Sequence, residues 1–245
     1  MPRIGSLKLY HILSPQLKEI KVGRDKLNII LKVNGLLVPP LRQYRKTTNS
    51  NHTFKKHKDL VSGLEIVRPE QVWVSDITYI YGHDRHYYLS LITDAYSKRV
   101  MGYSLDVNMN VELVINSLKM ALQNRKYRSK LIHHSDRGSQ YCCKEYQEIL
   151  RRMGVKTSMT ENYDPYANAI AERVNGILKQ EYGLEEKHCS FIELKTIVDQ
   201  TINIYNFVRP HLSCYMLTPV KMHLQNLLPI KKYNSKSTQR IKINV

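Results

Sequence analysis

The stretch Asp164-Pro-Tyr-Ala-Asn-Ala-Ile-Ala-Glu-Arg-Val-Asn-Gly-Ile-Leu-Lys-Gln-Glu-Tyr182 decides how the rest of the chain must be read. Pro165 marks the start of a helix, and from Ala167 to Tyr182 good helix formers follow one another, apart from Gly176. At 3.6 residues per turn Glu172, Asn175, Gly176 and Lys179 share one face, while Ile170, Val174, Ile177 and Leu178 share much of another. Lys179 therefore falls two turns, roughly 10 Å, beyond Glu172. A carboxylate followed by a cation on one face makes a poor core and a good site edge. Alone, such a face would be read as ordinary solvated surface.

It has company upstream. Val72-Trp-Val-Ser-Asp-Ile-Thr-Tyr-Ile80 and Leu131-Ile-His-His-Ser-Asp-Arg-Gly-Ser-Gln-Tyr141 are short apolar, β-branched runs, each carrying one Asp. Asp76 and Asp136 are thus delivered by two expected strands and Glu172 by a helix. Period two turns Trp73 and Ile77 away from Asp76 and into the core.

Outward from these runs, strands are expected over 71–80, 86–93 and 99–106, with a further strand over 130–134 and a short one over 155–159. Helices are expected over 111–124, 144–153 and 191–207. Strands that meander and then alternate with helices define an α/β domain with a mixed sheet. Ahead of it, apolar spacing predicts one helix near Leu7–Leu13 and a second over 24–33, with Asn34-Gly35 as its stop signal. The pair reads equally as a helix-turn-helix presenting Arg24 and Lys26 to DNA or as a helical hairpin docked on the main domain. The expected organisation is a helical domain over 1–46, a basic linker over 47–66, a catalytic core over 67–225 and a basic tail over 226–245.

The charge is unevenly spread. Thirty-eight basic against 21 acidic residues give +17, yet residues 61–220 carry 19 against 18. The excess lies in residues 1–60 (13 against 3), which include Arg42, Arg45 and Lys46, and in residues 221–245 (6 against none). A near-neutral centre with basic ends suits a polyanion gripped outside the chemical site, and DNA is the expected partner. Cys142, Cys143, Cys189 and Cys214 form no CxxC pair, which argues against a zinc module or disulfide scaffold. No run approaches twenty apolar residues and the first residues lack a signal-peptide core, so the expected setting is cytoplasmic, with no membrane.

Three carboxylates with little histidine suit Mg²⁺ or Mn²⁺, both hard cations. Phosphodiester chemistry uses two such ions, one at the attacking oxygen and one at the leaving oxygen. Asp76, Asp136 and Glu172 are therefore the candidate catalytic and metal-binding set.

Here the residues match a family. Trp73-Val-Ser-Asp-Ile-Thr78, His134-Ser-Asp-Arg-Gly-Ser-Gln-Tyr141, Asn168-Ala-Ile-Ala-Glu-Arg-Val-Asn-Gly-Ile-Leu-Lys179 and Tyr205-Asn-Phe-Val-Arg-Pro-His211 with Thr218-Pro219 closely resemble an integrase-core transposase. The subgroup is the bacterial insertion-sequence enzymes encoded in two overlapping frames, whose second frame carries the DDE core. The resemblance covers nearly all of residues 1–220, with 35 residues between Asp136 and Glu172. It implies an RNase H-like five-stranded mixed sheet flanked by helices, preceded by a small helix-turn-helix-like domain. It further implies two Mg²⁺ held by the three acids, strand cleavage by water, and transfer by direct attack of a DNA 3′-OH. Lys179 matches the family's basic residue after the Glu, which holds the element's end. Implied partners are the terminal inverted repeats, target DNA, the first-frame protein and a second copy, in a nucleoid-associated setting. Ala167 stands where the family commonly has an acid, and Cys214-Tyr215 replace a usual Leu-Gly or Leu-Asn.

Among the remaining polar residues, Asn175 on the Glu172 face is expected beside DNA, and Arg137 is open to backbone or phosphate contacts. Asp94 is expected to serve a turn, His133 and His134 to pack and hydrogen-bond, and Arg209 and His211 either to touch DNA or to brace the last helix. No HxxR with a downstream nucleophilic Tyr supports a tyrosine recombinase. A nuclease on the same fold and an idle DNA-binding remnant are the alternatives.

Overall fold

The computed structural model describes residues 1–39, 57–83, 85–160, 169–184 and 189–229. Arg42, Arg45, Lys46, Ala167, the loop 161–168 and the tail from 230 lie outside the described residues.

Five strands form one sheet in the order β3-β2-β1-β4-β5. β1 (Val72–Tyr81), β2 (His86–Asp94) and β3 (Val100–Asp106) form an antiparallel meander. β4 (Ile132–Ser135) adds in parallel to β1, and β5 (Lys156–Met159) in parallel to β4. This is the mixed five-stranded, helix-flanked sheet expected of an RNase H-like domain.

The pleat of β1 sorts its side chains between two layers. Trp73 and Ile77 enter the cluster built with α4 (Val111–Gln123), α5 (Ser139–Cys142) and α6 (Lys144–Arg152), through Val114, Leu118, Tyr141 and Tyr146. Val72 and Val74 turn the other way, onto Ala171 of α7 (Ala169–Gly176). Ile80 joins Val174 of α7 and Leu194, Val198 and Ile202 of α8 (Phe191–Phe207). Ser190 and Glu193 start α8 with a reciprocal capping box.

Gly102 lets α4 lie directly on β3. A Cβ there would stand 2.1 Å from the carbonyl oxygen of Ser117 and 2.5 Å from the amide nitrogen of Ala121, both backbone atoms of α4 that cannot swing aside. Gly102→Val is therefore expected to destabilise the domain by about 3 kcal/mol or more, the upper end of core overpacking, read as a large fall in the denaturant midpoint. An unchanged midpoint would mean that α4 does not make this close approach.

The N-terminal segment contains three helices where two were expected: α1 (Ser6–Ile12), α2 (Ser14–Glu19) and α3 (Arg24–Val33). The additional helix, α2, begins at Ser14-Pro15, because proline's missing N–H costs nothing in a first turn. Leu17, Val22, Leu27 and Leu31 give these helices a small core. They dock on the main domain through Arg3, whose N–H donates to the Glu181 carbonyl at 3.1 Å, and through Lys8, 3.0 Å from the Glu181 carboxylate. Residues 57–66, expected as linker, are pinned to β5: Leu60 N–H donates to Ser158 Oγ at 2.8 Å and Met159 N–H to the Lys58 carbonyl at 3.3 Å.

Candidate catalytic site

Strand register brings the first two acids together. The β1–β4 ladder ends at Val74 opposite His134. Asp76 and Asp136 each lie two residues further, so they stand level where the parallel strands part. The fork lies just past the carboxyl end of β4, while β1 runs on to Tyr81 paired only with β2. Gly138 N–H donates to Asp136 Oδ1 at 2.9 Å and steadies that carboxylate.

α7 delivers the third acid. Ala171 and Val174 anchor it to the sheet, which leaves Glu172 exposed beside the mouth and Asn175 buried beneath it. Asn175 Nδ2 donates to Asp76 Oδ2 at 2.7 Å. Read from sequence as a DNA contact, Asn175 is instead 6% exposed and faces an acid. Burial, then the Asp136 charge, then the Glu172 charge push Asp76 up to about 7, against the pull of hydrogen bonds from Ile77 and Asn175. Asp76 thus senses both other acids.

As they stand, no group of three or more His, Cys, Asp or Glu side chains among the described residues is set to hold a metal ion. The donor set nonetheless fits a hard dication. Its ligand atoms are carboxylate oxygens, and the mutual repulsion that raises Asp76 is what added positive charge relieves. Glu172, exposed in the first turn of α7, is the acid with room to move.

The helix expected to run straight to Tyr182 does not. At Gly176 it widens into a π turn, Ile177–Glu181. Bonding to the fifth residue back reduces the rotation per residue, so Lys179 leaves the Glu172 line. Its ammonium lies 4.4 Å from the centroid of the Tyr79 ring on β1. Arg137 is half-buried in the turn after Asp136. Arg24 is paired with its neighbour Asp25 at 2.8 Å and Lys26 is exposed, both on α3.

Several polar residues prove structural. Arg209 is 1% exposed and forks onto Glu181 at 2.9 and 2.7 Å, so it braces the π turn. His211 is buried, with Nδ1 2.9 Å from Ser213 Oγ, and burial followed by the Arg209 charge drives it down to about 3. His133 packs between Ser75 Oγ (3.0 Å) and Tyr146 Oη (2.9 Å), and His134 Nδ1 meets Ser158 Oγ at 2.9 Å. Asp94 serves its turn, accepting from Ser97 N–H at 2.8 Å and from Glu70 N–H at 2.7 Å.

Sequence reasoning missed His223, in α9 (Pro219–His223). Its Nε2 lies 3.2 Å from Glu70 and its Nδ1 3.6 Å from Asp94. Burial pulls its pKa down, but hydrogen bonds to Asp94 and Glu70 outweigh this and raise it. The trio ties the chain's last described helix to the start of the sheet; only the Thr218-Pro219 start of α9 was a visible signal.

A mixed sheet with level acids at a strand fork and a third acid on the covering helix defines a carboxylate-centred site on an RNase H-like frame. Two family models, both described as integrase core domain, match residues 67–165 and 153–219. The chain is 37% identical over 194 residues to the insertion element IS600 uncharacterized 31 kDa protein of Shigella sonnei, covering 78% of this chain and 71% of that protein. It is 35% identical over 199 residues to the transposase InsF for insertion sequence IS3A of Escherichia coli (strain K12), covering 80% and 69%. Among solved structures, the HTLV-2 integrase catalytic core domain in complex with magnesium superimposes with a TM-score of 0.52 at 20% identity, covering 64% of this chain and 98% of that one. The chain belongs to the integrase-core transposases of insertion sequences.

Proposed function

We propose that this chain cuts one DNA strand at each end of an insertion sequence and joins the exposed 3′-OH to target DNA. The observation that carries this reading is the level placement of Asp76 and Asp136 beyond the β1–β4 ladder, with Asp76 sensing both Asp136 and Glu172. In the first step water displaces a 3′-oxygen from phosphorus, and in the second the freed 3′-OH displaces a 3′-oxygen of the target. Each step forms one P–O bond and breaks one, and none is made to the protein.

Asp76, Asp136 and Glu172 would hold two Mg²⁺ or Mn²⁺, which supply charge for the attacking and leaving oxygens. The chain's own residues set the acids in place. Asn175 fixes one oxygen of Asp76, and the Gly138 amide fixes one of Asp136. Arg209 and Lys8 hold the π turn and with it the Lys179 stem. Lys179 and Arg137 would grip the element's end, with Arg24, Lys26, Arg42, Arg45 and Lys46 contacting DNA further out. Terminal inverted repeats, target DNA, the first-frame protein and a second copy complete the complex, on a cytoplasmic nucleoid. Among the described residues no helix is long and apolar enough to cross a membrane.

The test is to incubate the chain, with and without the upstream-frame protein, with DNA carrying an element end and Mg²⁺ or Mn²⁺. A 3′-OH nick at the element boundary and its joining to a second strand are expected. Nicking without end preference or joining would point to a nuclease. Binding with neither reaction would point to an idle remnant.

A further inference from the structure

Beyond Asp76 the β1–β2 hairpin carries an exposed aromatic row that the acid site leaves unused. Cross-strand register pairs Tyr79 with Tyr88 and Tyr81 with His86, so these side chains share one face of the sheet. Tyr79 is 43% exposed and Tyr81 40%, and His86 is exposed between them. The His86 ring meets Tyr79 at 5.1 Å and Tyr81 at 5.0 Å, both as T-shaped contacts, which fixes the ring planes. Basic side chains surround the row: Lys179 over Tyr79, with His83 and Arg85 exposed at the hairpin tip. Tyr79 lies three residues past Asp76, about 10 Å along the strand and on the other face. β4 no longer pairs with β1 at that level, so the strand edge is open there and Lys179, from the helix that carries Glu172, reaches round it to the Tyr79 ring.

An exposed ring held in plane beside cations, one or two nucleotide lengths from a strand-processing centre, is the construction with which proteins bind single strands. We propose that Tyr79 is a stacking seat for one unpaired nucleobase at the DNA end delivered to Asp76, a proposal that rests on the strand-transferase reading. Lys179 occupies the seat when DNA is absent. A base stacked on an aromatic ring strengthens binding by roughly 5- to 150-fold, whereas an exposed cation–π contact contributes roughly two- to fivefold. The base therefore displaces the ammonium, which moves to the adjoining phosphate. Tyr79 is then a binding residue, and its contact is made only where a DNA end frays.

The test is a thermodynamic cycle between the ring and the base. The probe is a duplex of the element's own terminal repeat, with the last three nucleotides of one strand unpaired, and the same duplex with an abasic residue at each of those positions in turn. The wild-type chain is expected to bind one of the abasic duplexes roughly 5- to 150-fold more weakly. Tyr79→Ala should bind the intact duplex as weakly as wild type binds that abasic one and show no further loss. Tyr79→Phe should behave as wild type, which separates stacking from folding. Lys179→Ala should keep the base discrimination while losing about one unit of the log–log salt slope. Tyr79→Ala that still distinguishes base from abasic site overturns the stacking seat alone, as does a wild type indifferent to all three positions. No salt-sensitive binding of any end duplex overturns the strand-transferase reading with it.

Discussion

Asp76→Asn is expected to abolish strand cleavage and joining while making the metal-free protein more stable. The rate should fall by about 10³-fold or more, since an anionic ligand for charge worth several kcal/mol in the transition state is lost. The stability effect follows from the raised carboxyl. Asp76 has its ordinary value near 3.8 in the unfolded chain and about 7 in the fold, because burial and the two other acids resist its ionisation. Folding is thus favoured by protonation below pH 3.8, and that contribution is lost as pH rises through 7. Asn cannot ionise, so the melting advantage of the variant should grow from pH 4 to pH 7 and then level off. A gain of even about 1 kcal/mol is worth roughly 2–4 °C for a domain of this size. Millimolar Mg²⁺ should close the gap by stabilising wild type and leaving the variant unmoved. A variant that melts with wild type at every pH would mean that the acids do not crowd one another.

Arg209→Leu should be the most destabilising single change outside the hydrophobic core. The guanidinium and the Glu181 carboxylate are nearly sealed from water, with side-chain exposures of 2% and 11%. Removing one partner strands a buried charge and costs about 3–5 kcal/mol, a fall in Tm of roughly 6–20 °C. Lys8, still 3.0 Å from Glu181, places the effect toward the lower end. Adding Glu181→Leu should recover much of the loss, because the uncompensated acid is then gone. Burial pushes Glu181 up, but the Arg209 and Lys8 hydrogen bonds and charges win and hold it below its usual 4.5. The pair's contribution is therefore present above pH 4.5 and lost as acid titrates the carboxylate. An additive double variant, with no recovery, would mean the pair carries no coupling.

Asp76 on β1 and Asp136 just past β4 were legible because each interrupts a short apolar run, and alternation fixes which side of the sheet Asp76 takes. The strands themselves followed from the same runs, but their order in the sheet did not. Other features arise only when separate elements meet. The π turn at Ile177–Glu181 depends on Glu181 being drawn to Arg3, Lys8 and Arg209, partners that are 28 or more residues away in the chain. Asn175 shares Glu172's face by spacing, but its bond to Asp76 depends on how closely Ala171 lets α7 approach β1. His223 meets Glu70 across 153 residues, and neither sits in a run that marks it. Arg209 and His211 lie in a motif whose pattern was visible; that they brace the fold required their burial to be seen.

The most direct test supplies the chain with a pre-nicked element end bearing a free 3′-OH, target DNA and Mg²⁺, at matched end occupancy for wild type and Glu172→Gln. Joined product from wild type and none from Glu172→Gln, with equal DNA binding, is the expected result. Joining that survives the loss of the Glu172 carboxylate would contradict the assignment of the three acids to one centre.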